Sequence, residues 1–159
     1  MTQNLGTDSA PAAVSDEWKG RFATLTFERD VAAPLTVLWE VWTAPAARAI
    51  WAAPSPSVTV EFLEIDTRVG GREVSLCKVE GYPDIRSESG WLELQPARCS
   101  VNYEVISSEG VTQSVALVTA DISGTQERSL LVLTVQLSSL AEDMEEGYRE
   151  GFDGALDNL

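Results

Sequence analysis

Histidine is absent from this 159-residue chain. Its absence removes the commonest general base, the Ser-His-Asp arrangement and every imidazole metal ligand. Cysteine is scarce. Cys77 and Cys99 are the only two, too few for a disulfide framework and too far apart for a zinc site. Both stand in apolar, strand-like runs and read as buried thiols. Basic residues are few as well: 11 Lys and Arg against 25 Asp and Glu, a net charge of −14. Phosphate backbones and anionic membrane surfaces need clustered cations, so neither nucleic acid nor membrane is expected as a partner. The acidic balance favours solubility and would steer a basic partner. No apolar run approaches the roughly 20 residues of a membrane helix. The N-terminus, MTQNLGTDSAPAAVSDEWKG, lacks the basic start and apolar block of a secretory signal, so a cytoplasmic location is the expectation. Neither GxxxxGKS/T nor GxGxxG occurs, and no cofactor, metal or catalytic residue is assigned.

What is present is a single domain's worth of patterned chain. Residues 1–20 are rich in Ala, Ser, Thr, Asp and Pro without a period and read as a disordered arm, with Trp18 as its one aromatic; the domain spans 21–159. FATLTFERDV (22–31) alternates, with Ala23, Leu25, Phe27 and Val31 on one face, which is a half-buried strand. Pro34 suits the first turn of a helix. Leu35, Leu38, Trp39 and Trp42 then make one apolar stripe at i, i+3, i+4 and i+7. Pro45 ends that helix, and a second short one carries Ala46 to Trp51.

Strand signals follow almost unbroken, with turns at Gly70-Gly71, GYPD (81–84), Gln95-Pro96 and SGTQ (123–126). Val58, Val60 and Phe62 share a face. Cys99, Val101, Tyr103 and Val105 are the expected inward set of one strand, and Leu131, Leu133, Val135 and Leu137 of another. Such a succession is an antiparallel meander. Over 138–159 the period changes, with Leu140, Met144, Tyr148, Phe152 and Leu156 every fourth residue and acidic residues on the other faces. This predicts an amphipathic helix. Gly147 and Gly151 lie near its apolar face, where each costs about 1 kcal/mol against Ala, and close approach to a sheet or ligand is the expected reason. Asp143, Glu146 and Glu150 read as a solvated acidic face.

The runs VAAPLTVLWEVWTAPAARAIW, VEFLEIDTRVGGR, GWLELQPARCSVNYEV and EGYREGFDGALDNL, over residues 22–159, resemble the START-like (SRPBCC) superfamily. Within it they look most like the branch named for the activator of heat-shock-protein-90 ATPase. The resemblance rests on the spacing of Ala33-Pro34, Trp39, Thr43, Pro45, Trp51 and Gly70-Gly71. It implies an α+β helix-grip fold: a curved antiparallel sheet wrapped around a long C-terminal helix, with two short helices after the first strand. It also implies a cavity between sheet and final helix, with Trp39 in the core and Trp51 near the cavity mouth. The family's frequent Gly-Trp in the last helix is replaced here by Gly151-Phe152.

Pockets of this kind are mostly apolar with a few placed polar groups. Alternation and resemblance together nominate Trp51, Phe62, Leu76, Trp91, Tyr103, Tyr148 and Phe152 as ligand-binding residues. The leading functional expectation is a small hydrophobic or aromatic ligand held in the grip. Two alternatives stand beside it. One is an interaction module with a chaperone as partner, as the branch name implies. The other is an enzyme of the polyketide aromatase or cyclase type, for which Arg29, Arg72 and Arg86 would have to turn inward.

Overall fold

β1 (Arg21–Val31) alternates as its sequence predicts, with Leu25 and Phe27 buried. It opens a computed structural model that describes residues 20–159. The arm expected over residues 1–20, with Trp18, lies outside the described residues except for Gly20. Pro34 caps α1 (Leu35–Thr43) from just outside it. Ala44 is extended, the conformation a following proline imposes, and α2 (Pro45–Trp51) begins on Pro45 itself. One proline therefore both ends a helix and starts the next, where its missing N–H leaves no bond unmade. Six strands follow: β2 (Val58–Ile65), β3 (Arg72–Val79), β4 (Ile85–Gln95), β5 (Cys99–Ser108), β6 (Val111–Gly124) and β7 (Ser129–Ser139). α3 (Met144–Leu156) comes last. No helix among the described residues is long and apolar enough to cross a membrane.

All the strands join one seven-stranded antiparallel sheet in the order β1-β7-β6-β5-β4-β3-β2. β1 pairs with β7 from Arg21↔Ser139 to Val31↔Ser129, so α1 and α2 carry the chain from one edge of the sheet to the other. The architecture is α+β, a curved antiparallel sheet with three helices, the last of them C-terminal, consistent with a helix-grip fold. The curvature has a local source. Bulges interrupt the pairing at Phe62/Glu64, Trp91/Glu93 and Ile106/Ser107, and each extra residue bends its strand. The β1–β7 and β7–β6 ladders carry no such shift. The Gly70-Gly71 turn fixes the bent side. Gly70 has φ +78°, and a Cβ on Gly71 would lie 2.0 Å from the Asp66 carbonyl oxygen, so both positions require glycine. The turn then clasps β4, with Gly70 N donating to Trp91 O at 2.8 Å and Trp91 N to Gly71 O at 3.1 Å.

The core lies on the flatter half. Leu25 and Phe27 of β1, and Leu131, Leu133, Val135 and Leu137 of β7, pack with α1 and α3 through Leu38, Trp42, Ala155 and Leu156. Each fully buried leucine contributes about 1.5–3 kcal/mol.

α3 begins later than its periodicity predicts. Ser138 and Ser139 belong to β7, paired with β1 on one side and β6 on the other. The strand runs on to Ser139, so Leu140, first of the apolar period, falls between strand and helix and is left 41% exposed. The bulged Gln113 carbonyl then receives Leu140 N and Ala141 N, at 2.8 and 3.1 Å, and directs the chain toward α3. At its far end the helix is tied by Arg29, which donates to Asp153 and Asp157, each at 3.0 Å. Asn158 adds bonds to the Trp51 and Ala53 carbonyls at 3.2 and 2.9 Å.

The approach of sheet to helix expected at Gly147 and Gly151 is not found there. Close approach occurs at Gly154, where a Cβ would lie 2.3 Å from the Pro54 carbonyl oxygen, whereas a Cβ at Gly147 or Gly151 meets nothing within 4 Å. Gly154→Ala should therefore destabilise the protein by about 1–3 kcal/mol, the usual cost of overpacking. Gly147→Ala and Gly151→Ala should each stabilise it by up to about 1 kcal/mol. Urea unfolding of the three variants checks the opposite signs.

Candidate functional site

The space left by Gly147 and Gly151 is one side of a cavity of about 780 Å³, walled on the other by the inner face of β2 to β5. Its open end lies among the β3–β4 and β5–β6 turns, where the lining residues Tyr82, Ile85 and Val111 are exposed. Its closed end lies against α1 and α2, where Trp42 and Trp51 stack at 5.1 Å with 14° between ring planes. Both indoles are satisfied. Trp42 Nε1 donates to Ser100 Oγ at 2.9 Å and Trp51 Nε1 to the Val41 carbonyl at 2.8 Å.

Beside them sits a buried ion pair. Glu73 is 2% exposed and accepts from Arg48 Nη1 at 2.5 and 2.6 Å, Trp91 Nε1 at 2.8 Å and Thr67 Oγ1 at 3.2 Å. The Arg48 guanidinium also lies 5.3 Å from the Phe62 ring centre and 5.4 Å from that of Trp91, within cation–π range. Charge and aromatic faces thus hold one another at the closed end.

Further along β5, Glu104 faces the cavity. It accepts from Ser87 Oγ of β4 at 2.9 Å and from the Tyr148 hydroxyl of α3 at 2.9 Å. That hydroxyl also meets Ser114 Oγ of β6 at 3.3 Å. Burial pushes the Glu104 carboxyl above the ordinary carboxylate range, against the opposing pull of the Ser87 and Tyr148 hydrogen bonds and the Arg48 charge. Burial, and then the Glu104 charge, push the Tyr148 phenol well above its ordinary value, so it stays protonated and donates. A carboxyl raised in this way can exchange a proton closer to neutrality than an ordinary one. Among the described residues no three His, Cys, Asp or Glu side chains converge as a metal site would require.

The sign of the Glu104 shift gives a stability prediction. Its folded-state pKa lies above the unfolded value, so the folded protein holds this proton through the interval between them. Stability attributable to the group is complete below the ordinary carboxylate value and falls as pH rises through the folded pKa. Glu104→Gln keeps the shape and removes the charge. It should raise the melting temperature at pH 8, where the wild type carries a charge that burial disfavours. The gain should shrink as pH is lowered toward the ordinary carboxylate range. Melting curves of both proteins across that range check it.

Of the residues nominated from sequence, Trp51, Phe62, Trp91, Tyr148 and Phe152 line the cavity. Trp51 stands at the closed end rather than the mouth, held there by its stack on Trp42. Leu76 and Tyr103 lie on the opposite face of the sheet. In β5 the inward side chains are Ser100, Asn102, Glu104 and Ile106, not Cys99, Val101, Tyr103 and Val105. Tyr103 is 40% exposed. Its ring covers its cross-strand partner Gly90, where a Cβ would come within 2.5 Å of it. In β3 the inward set is Glu73, Ser75 and Cys77, which turns Leu76 outward. The alternation rule assigns the apolar side to the interior, and it fails where the interior is a cavity rather than packed side chains. Arg29, Arg72 and Arg86 are not cavity residues either; they pair with Asp153 and Asp157, Glu64 and Glu88, and Glu88 respectively. The inward arginine is Arg48 of α2. Periodicity marks neither it nor Glu73 nor Glu104. A legible trace existed in Ser75, in Ser87 and Ser89, and in Ser100 and Asn102, which place small polar residues at one parity of three successive strands.

The chain matches no protein-family model and no curated protein. Its fold recurs among solved structures. The Mll3558 protein of Rhizobium loti is 24% identical, with a TM-score of 0.79 over 89% of this chain and 96% of that one. A protein of Rhizobium leguminosarum is 22% identical, with a TM-score of 0.77 over 88% and 93%. Protein CV1439 of Chromobacterium violaceum is 20% identical, with a TM-score of 0.72 over 85% and 92%. Likeness at these identities establishes a shared fold.

Proposed function

We propose that this protein binds a small, mostly apolar molecule in the cavity between β2–β5 and α3. One observation carries the reading: the inner face of β3, β4 and β5 is turned toward a hollow and is studded with polar groups, among them Ser75, Ser87, Ser89, Asn102 and Glu104. A packed core would fill that space with side chains and leave it dry. Sites for small molecules span about 300–1,000 Å³, with apolar walls and a few placed polar groups, and a volume of about 780 Å³ lies in that interval. The helix glycines support the same reading. Gly147 and Gly151 face open space at a cost of about 1 kcal/mol each against Ala, and what they preserve is room. The sequence resemblance to the START-like superfamily, whose members include lipid, hormone and polyketide binders, points the same way.

Native mass spectrometry of freshly expressed protein tests the proposal, with a retained small-molecule adduct as the expected result. Thermal-shift screening against apolar and aromatic compounds is the companion measurement, since a ligand at 100 times its Kd adds about 2.7 kcal/mol. Gly151→Trp should obstruct the cavity beneath α3 and weaken the shift while the protein remains folded. An adduct-free wild type that no such compound stabilises, or a Gly151→Trp variant that responds as the wild type does, would refute the reading.

A further inference from the structure

We propose that the molecule held in this cavity carries a basic nitrogen, protonated at neutral pH, that pairs with Glu104. The inference rests on the binding function proposed above and names its ligand class. The charges facing the cavity set the chemistry. Arg48 and Glu73 neutralise one another, with one guanidinium nitrogen within 2.6 Å of both carboxylate oxygens. Glu104 is different. Its bonds come from two neutral hydroxyls, Ser87 and Tyr148. No salt bridge among the described residues includes it. A carboxylate has about four lone-pair sites, so two donors leave capacity directed at the hollow. A carboxylate drawn out of bulk water with only hydroxyls in contact is costly, and a ligand ammonium would supply a cation at contact distance.

The surroundings favour the same sign. Tyr148, which contacts this carboxylate, and Phe152, its ring centre 6.0 Å from that of Tyr148, both line the cavity and supply aromatic surface of the kind that attracts cations and apolar substituents. Glu109 adds a carboxylate at the open end. The chain as a whole carries −14, a field that concentrates cations at a cleft and repels anions. A fatty acid or other carboxylate ligand would place like charge against Glu104.

Three anthracene probes of one shape separate these cases: 9-(methylaminomethyl)anthracene, 9-anthracenemethanol and 9-anthracenecarboxylate, titrated by fluorescence at pH 7.5 and moderate salt. The amine should bind the wild type about tenfold or more tighter than the alcohol, in keeping with close charge pairs at other interfaces, and the carboxylate should bind weakest. In Glu104→Gln the amine should lose its advantage, its affinity falling to within about twofold of the alcohol's, while retained binding of the alcohol reports that the cavity is intact. The proposal is overturned if the alcohol or the carboxylate binds the wild type as tightly as the amine. It is also overturned if Glu104→Gln leaves amine affinity unchanged, since attraction to the acidic surface alone would survive that substitution. If none of the three binds, the cavity-binding function fails with it, a result distinct from equal binding of all three.

Discussion

Arg48→Ala should destabilise the protein by about 3–5 kcal/mol, the cost of leaving one member of a buried ion pair without its partner. Glu73 is 2% exposed, and after the substitution its donors are Trp91 Nε1 and Thr67 Oγ1. Two neutral hydrogen bonds do not replace a guanidinium. Single domains are stable by about 5–15 kcal/mol, so this loss consumes a large share of the total. Pairing Arg48→Met with Glu73→Gln removes both charges and keeps the site filled. In Arg48→Met/Glu73→Gln the carboxylate is gone, an amide oxygen still accepts from Trp91, and a flexible apolar chain lies along Phe62. Replacing both charged partners is near neutral in other proteins, so the double variant should recover most of the loss. Urea midpoints at unchanged slope measure it. Equal losses in the single and double variants would refute the charge-based account, since the double variant removes the buried carboxylate and still fills the Arg48 site.

The second large effect compares one kind of truncation in two places. Leu133→Ala removes a side chain with 0% exposure from the packed half of the sheet and should cost about 2–5 kcal/mol, transfer and cavity terms together. Ile106→Ala removes a side chain that lines the existing hollow. No new cavity has to be opened there, so its cost should stay near 1 kcal/mol, without the cavity term of a packed site. Denaturant unfolding of the two variants decides whether the space under α3 is hollow in solution. Similar losses at both positions would mean that it is filled.

The two halves of the sheet also separate what periodicity can and cannot reveal. In β1 and β7 the apolar parity points inward, and Leu25, Phe27, Leu131, Leu133 and Val135 are buried as alternation predicts. In β3 and β5 the same rule turns Leu76 and Tyr103 the wrong way, because there the inward side is lined by Glu73, Ser75, Asn102 and Glu104. Apolar parity marks the side of a strand that other side chains cover. It carries no mark for a side that faces a cavity. Arg48 shows the same limit on a helix: within PAARAIW nothing distinguishes it from a surface arginine, and Glu73, which lies across the fold on β3, gives it its place.

By itself the amino-acid sequence determined what depends on neighbours a few residues apart: the strand alternation, the proline between two short helices, the turn glycines and the amphipathic final helix. The folded chain decided where that helix stands above the sheet. Gly154 against Pro54, Arg29 with Asp153 and Asp157, and Asn158 at the end of α2 join segments distant in sequence. Together they hold α3 down at one end while Gly147 and Gly151 stand over open space. The hollow, and the carboxylate that faces it, exist because of that placement, and no local period encodes a distance between two surfaces.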